Sequence, residues 1–116
     1  MFIFKEFPVK WNGVSEDVKL TFKLIQTIES KGVNIAVLSS DMQKAQPPFT
    51  SIAVIYCELL KSVGITADEG DIYKALYGQG ENKPSPDEIV GSVVEVITAA
   101  FPSNMDIEPA KKKAAK

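Results

Sequence analysis

The chain has 116 residues, 45% hydrophobic and 24% charged, a composition that suits one domain able to bury a core without staples. Its net charge of −2 is unevenly spread: from Ser103 onward four lysines face two acids, so a tail of +2 follows a body of −4. All thirteen basic residues are lysine, histidine is absent and there is one cysteine, which argues against base-specific nucleic-acid readout, removes the commonest acid–base and metal-binding side chain, and excludes an internal disulfide or CxxC site.

The first twenty residues read as β-structure. Phe2 and Phe4, then Val9 and Trp11, alternate within their runs, and Pro8 confines the segment to an edge or a bend. Asn12-Gly13 is a strong hairpin signal because both residues tolerate positive φ, and the returning strand is expected over roughly Val14 to Leu20. A lone hairpin is marginal, so it must lean on helices or on another subunit.

From Thr21 the period changes. Phe22, Leu24, Ile25 and Ile28 predict an amphipathic helix that ends at Lys31-Gly32. Over Val33 to Gln46 a strand-like alternation competes with a helical spacing. A helix or two short helical turns is the preferred reading, because Ser39-Ser40-Asp41 suits a helix end.

The stretch Phe49 to Val63 is the expected centre of the fold. Phe49, Ile52, Ile55, Tyr56, Leu59, Leu60 and Val63 recur every three or four residues, and Ala53, Val54 and Cys57 widen that face. Only Thr50, Ser51, Glu58, Lys61 and Ser62 remain as a polar side, so the helix should be surrounded by partners. Pro47 and Pro48 bar helix before it, and Gly64 is placed to end it.

Thr66 is the expected cap of a fourth helix, with Glu69 closing a capping box and Ile72, Ala75 and Leu76 as the apolar stripe up to Gly78. After the polar loop 78–84, Ser85-Pro86-Asp87-Glu88 combines a serine cap, proline at the first helical position and a glutamate that reaches back. The last helix runs from there through Ile89, Val93, Val96, Ile97 and Phe101 to Pro102. Residues 1–102 are thus expected to form a single domain, mainly α, with an N-terminal β-hairpin followed by four or five short helices. Residues 103–116 are expected to be a disordered lysine-rich tail.

No constellation carries chemistry. Asp68, Glu69 and Asp71 lack the order of a calcium loop and read as helix-start charges. Gly78-Gln79-Gly80 follows a helix instead of opening one, so it is no phosphate cradle. Cys57 lies on the apolar side of the central helix, where a buried, inert thiol is expected. No catalytic residue, cofactor site or metal site is assigned, and the chain is read as a non-enzyme. Lys5 and Glu6 interrupt the apolar start, so neither a leader nor a membrane segment is expected. The candidate partner-binding residues are Trp11 and Val14 on the exposed side of the hairpin, and Tyr73 and Tyr77 four apart on one helix; core packing is the alternative reading of the three aromatics.

Residues 8–38, PVKWNGVSEDVKLTFKLIQTIESKGVNIAVL, resemble the start of the tail assembly chaperones of long-tailed bacteriophages and gene transfer agents. The corresponding residues are Asn12-Gly13, Leu20-Thr21-Phe22, Ile25, Ile28-Glu29 and Gly32. The likeness continues through IAVIYCELLKSVGI, a T-x-x-E helix, a last apolar helix and a charged tail. It implies a non-enzymatic protein that binds the long helical tape-measure protein, keeps it soluble and helps tail-tube subunits assemble around it. It implies self-association, action in the cytoplasm of the host cell and absence from the mature virion; no nucleic-acid or membrane partner is expected, from the lack of arginine and of a membrane segment. It also implies a longer frameshifted product, for which Lys111-Lys112-Lys113 could supply a slippery adenine run. The first competing reading is a small adaptor or inhibitor that binds one host or virion protein; the second is an enzyme with an unrecognised site, which should show a deep pocket converging on carboxylate or Lys/Ser groups.

Overall fold

The computed structural model describes residues 3–42 and 48–100. Two antiparallel strands, β1 (Ile3–Trp11) and β2 (Val14–Thr21), are followed by five helices. These are α1 (Phe22–Ser30), α2 (Ile35–Asp41), α3 (Phe49–Ser62), α4 (Glu69–Ala75) and α5 (Pro86–Ala100). The tail 103–116, with Lys111–Lys113, lies outside the described residues, as do Phe2, Phe101, Pro102 and 43–47, Pro47 included.

The hairpin closes as its sequence requires. Asn12 and Gly13 have φ of 51° and 81°, so both turn residues are left-handed, the twist that suits a two-residue connection. Trp11 pairs with Val14, Val9 with Glu16 and Phe7 with Val18. A register shift between Ile3 and Lys5 falls where the apolar alternation changes parity, from Phe4 to Val9. Phe7, Val9 and Trp11 of β1 and Val18 and Leu20 of β2 are buried on one face of this hairpin.

The helix α3 is the centre, as its nearly continuous apolar surface demands. It packs against β1, β2, α1, α4 and α5, and Ile52, Ile55, Leu59 and Leu60 are fully buried. Each such side chain contributes about 1.5–3 kcal/mol relative to an exposed one. Gly64, at φ +82°, lets the chain leave α3 in a left-handed turn, so that Ile65 N–H reaches back to Leu60 C=O at 2.9 Å. Cys57 is buried on α3; desolvation pushes its thiol up, and its Sγ donates to Ala67 C=O at 3.4 Å. A protonated, enclosed sulfur of this kind is a packing group.

The polar side of α3 departs from expectation at one position. Glu58 is 4% exposed, with its carboxylate 3.5 Å from Lys61 and 3.8 Å from Lys31. Lys31 comes from the end of α1, so that helix covers a residue which periodicity alone puts toward solvent.

The remaining helices start where short polar side chains meet free N–H groups. Thr21 caps α1 through Leu24 N–H at 3.2 Å, and Asn34 caps α2 through Val37 N–H at 3.1 Å. The region Val33 to Gln46 is thereby helical over Ile35–Asp41. The start of α4 corrects the expected Thr66–Glu69 capping box: Asp68 is the cap, accepting from Gly70 N–H at 2.6 Å, and Glu69 is the first helical residue. The carboxylate next to the helix outcompetes a threonine two residues earlier, and Glu69 and Asp71 then sit at the positive end of the dipole. Before α5 the expected box forms in full, Ser85 N–H to Glu88 Oε1 at 2.9 Å and Glu88 N–H to Ser85 Oγ at 3.2 Å.

One long-range bond joins hairpin and core. Tyr56 of α3 accepts from Lys10 N–H at 2.9 Å and donates to Lys10 C=O at 2.8 Å. Desolvation raises its phenol above the ordinary range, so the hydroxyl keeps its proton. Lys10 and Lys5 also reach across to α5, pairing with Glu88 at 3.0 Å and Glu95 at 2.5 Å. These pairs are exposed and are worth little in water. The Tyr56 hydroxyl fixes the hairpin's height on the body.

Candidate partner-binding face

The four residues singled out for contact separate into three settings. Trp11 is 2% exposed, which corrects its assignment to the exposed side of the hairpin. It shares the core face of β1 with Val9 and Phe7, and Lys83 of the α4–α5 loop lies over its ring, Nζ 4.6 Å from the centroid. Lys83 also donates to Asn12 Oδ1, so one lysine closes the turn and the indole together. Trp11 is an anchor of the hairpin to the body. Val14, its cross-strand partner, is 46% exposed beside the turn.

Tyr73 and Tyr77 are both exposed, but they do not share one helix as expected: α4 ends at Ala75, and Tyr77 stands in the turn that follows it, its N–H bonded to Lys74 C=O at 2.9 Å. Their ring centroids are 5.3 Å apart at 64°, and their hydroxyls approach to 3.4 Å. Phe49, the first residue of α3, joins them: its ring meets Tyr77 edge-on at 5.2 Å and 76°. Edge-to-face contact at these separations is the favoured geometry for aromatic rings. The hydrogen bond with Tyr73 holds the Tyr77 phenol above its ordinary range, so Tyr77 is a neutral, polar-tipped ring at neutral pH.

A groove of about 290 Å³ runs from Tyr73 between α3 and the start of α4, lined by Thr50, Ala53, Val54, Glu69 and Gly70. Gly70 opens this wall, and its missing side chain leaves room near the Asp68 carboxylate. The face is apolar at its centre and carries hydroxyls and a carboxylate at its margin, the build of a protein-contact surface.

Phe49 was not legible as part of this face. Its spacing assigns it to the apolar stripe of the central helix, and only the packing of α4 on α3 sets Tyr77 against it. Among the described residues no three of Cys, Asp and Glu come together to hold a metal ion, and no helix is long and apolar enough to cross a membrane. No protein-family model, curated protein or solved structure matches the chain.

Proposed function

We propose that this protein is a tail assembly chaperone that holds a long helical partner, the tape-measure protein, in soluble form while tail-tube subunits assemble around it. The observation that carries the reading is the contiguous aromatic face of Phe49, Tyr73 and Tyr77 over an apolar groove. Rigid aromatic rings with polar tips anchor an apolar helix face at little entropic cost and still tolerate water when unoccupied. A compact set of short helices with one accessible face suits repeated docking along an extended partner, where many weak contacts add up. The resemblance over 8–38 and through α3 to α5 names the partner class, and the site of action is the host cytoplasm.

The test is co-expression with a tape-measure protein encoded beside this chain, scoring the soluble, co-eluting fraction of that partner. Multi-copy co-elution that falls at least tenfold in the double variant Tyr73→Ala/Tyr77→Ala supports the reading. Equal precipitation with and without this protein defeats it. A defined one-to-one complex with a different protein would point instead to the adaptor reading.

A further inference from the structure

The two edges of the hairpin are not alike. Lys10 spends its N–H and C=O on the Tyr56 hydroxyl, so it points away from β2, and alternation makes Pro8 and Glu6 the other outward residues of β1. Pro8 has no N–H to offer, and α5 packs along this side. The turn-proximal half of the β1 edge, at Lys10 and Pro8, therefore has no free N–H to offer another strand.

The edge of β2 is open. Ser15 is the cross-strand partner of Lys10 and therefore also points outward, followed by Asp17 and Lys19. None of their N–H or C=O groups has a partner among the described residues. The strand's turn-proximal half, Val14 to Asp17, is exposed on both faces.

Charge runs along this edge in one direction. Glu16 and Asp17 lie toward the turn, while Lys19, with Lys23 at the start of α1, lies toward the base. None of the four makes an ion pair within the described residues. Beside the base, Lys19, Lys23 and Lys61 line a hollow of about 480 Å³ with Glu58 in its wall. Edge lysines ordinarily discourage strand addition. Here the acid two residues away makes the edge complementary to itself once reversed.

We propose that β2 pairs antiparallel with β2 of a second copy of this chain, about a two-fold axis at Val18, to build a continuous four-stranded sheet. Charge selects the register. Centred on Val18, each Asp17 faces Lys19 of the other copy on the solvent side, and Ser15 faces Thr21. Centred on Asp17 or on Lys19, two like charges would stand opposite each other, which is unfavourable. The same register carries Glu16 of each copy to the lysine-lined hollow of the other, and brings exposed Val14 toward exposed Phe22. This contact uses a surface separate from the Phe49, Tyr73 and Tyr77 face, so it stands or falls independently of the tape-measure reading.

Sedimentation equilibrium of the full chain alone, at low and high salt, tests the pairing. A dimer is expected that loosens as salt rises. Asp17→Lys and Lys19→Asp should each raise its Kd by about tenfold or more, since each sets like charges at two symmetry-related positions. The combined Asp17→Lys/Lys19→Asp chain should return to near the original Kd. Circular dichroism and a cooperative thermal melt establish that each variant is folded, as expected for side chains that face solvent, and any fall in Tm should shrink on dilution because it comes from the lost dimer. A chain that stays monomeric at about 1 mM, or a dimer that both single reversals leave intact, overturns the proposal.

Discussion

Replacing Tyr56 with phenylalanine removes one oxygen and tests how the hairpin is held. The ring remains in the core, so no cavity of consequence opens, while Lys10 N–H and C=O lose their common partner. A neutral hydrogen bond contributes about 0.5–1.5 kcal/mol net, and a stranded buried group costs about 1–3 kcal/mol. Lys10 lies beside an open hollow of about 280 Å³ between β1 and α5, where water can serve part of the loss. The expected cost is therefore about 2 kcal/mol, which lowers Tm by roughly 8–16 °C for a domain of this size. Urea melts give the magnitude, and amide hydrogen exchange gives the place: the Lys10 amide should lose protection more than the amides of α3. A variant within about 3 °C of the parent, with Lys10 exchange unchanged, would show that the hairpin is held by its apolar face alone.

The correction at Trp11 has a direct consequence. Trp11→Ala should destabilise by about 3–5 kcal/mol, whereas Tyr77→Ala should stay within about 0.5 kcal/mol; thermal melts of the two variants measure the contrast, and equal losses would refute the placement of Trp11 in the core. A second expectation concerns acid. Glu88 has its carboxyl held below the ordinary range by the Ser85 N–H and then by Lys10, so the folded state favours its charged form. That contribution is present above the carboxyl's unfolded value and is lost as pH falls through the folded one. Glu88→Gln should thus narrow its stability deficit between neutral pH and about pH 3, as read by Tm against pH; a deficit constant over that window would show that the charge plays no part.

Local features were legible. The Asn12-Gly13 turn, the Ser85–Glu88 box and the glycine stop after α3 each depend on residues within a few positions, and backbone sterics decide them wherever they occur. The aromatic pair Tyr73 and Tyr77 was legible for the same reason, because the tight turn that follows α4 still brings residues four apart together. The start of α4 was misread although it is local, since threonine and aspartate both qualify as caps and the side chain with the better reach to Gly70 N–H prevailed. The candidate face was half visible: its two tyrosines lie four residues apart on α4 and in the turn that follows it, while Phe49 arrives from α3.

What the sequence by itself determined is the set of elements and the rank of α3 among them, because hydrophobic periodicity and turn chemistry act over short spans. Only the tertiary structure decided which side of each element faces whom. It buried Trp11 beneath Lys83, turned Glu58 inward against Lys31, and set Tyr56 beside a strand 46 positions away. The same packing occupied the turn-proximal edge of β1 through Tyr56 and left the edge of β2 open. Strand edges differ only by what packs beside them, and that is a property of contacts between distant residues, which no short stretch of chain encodes.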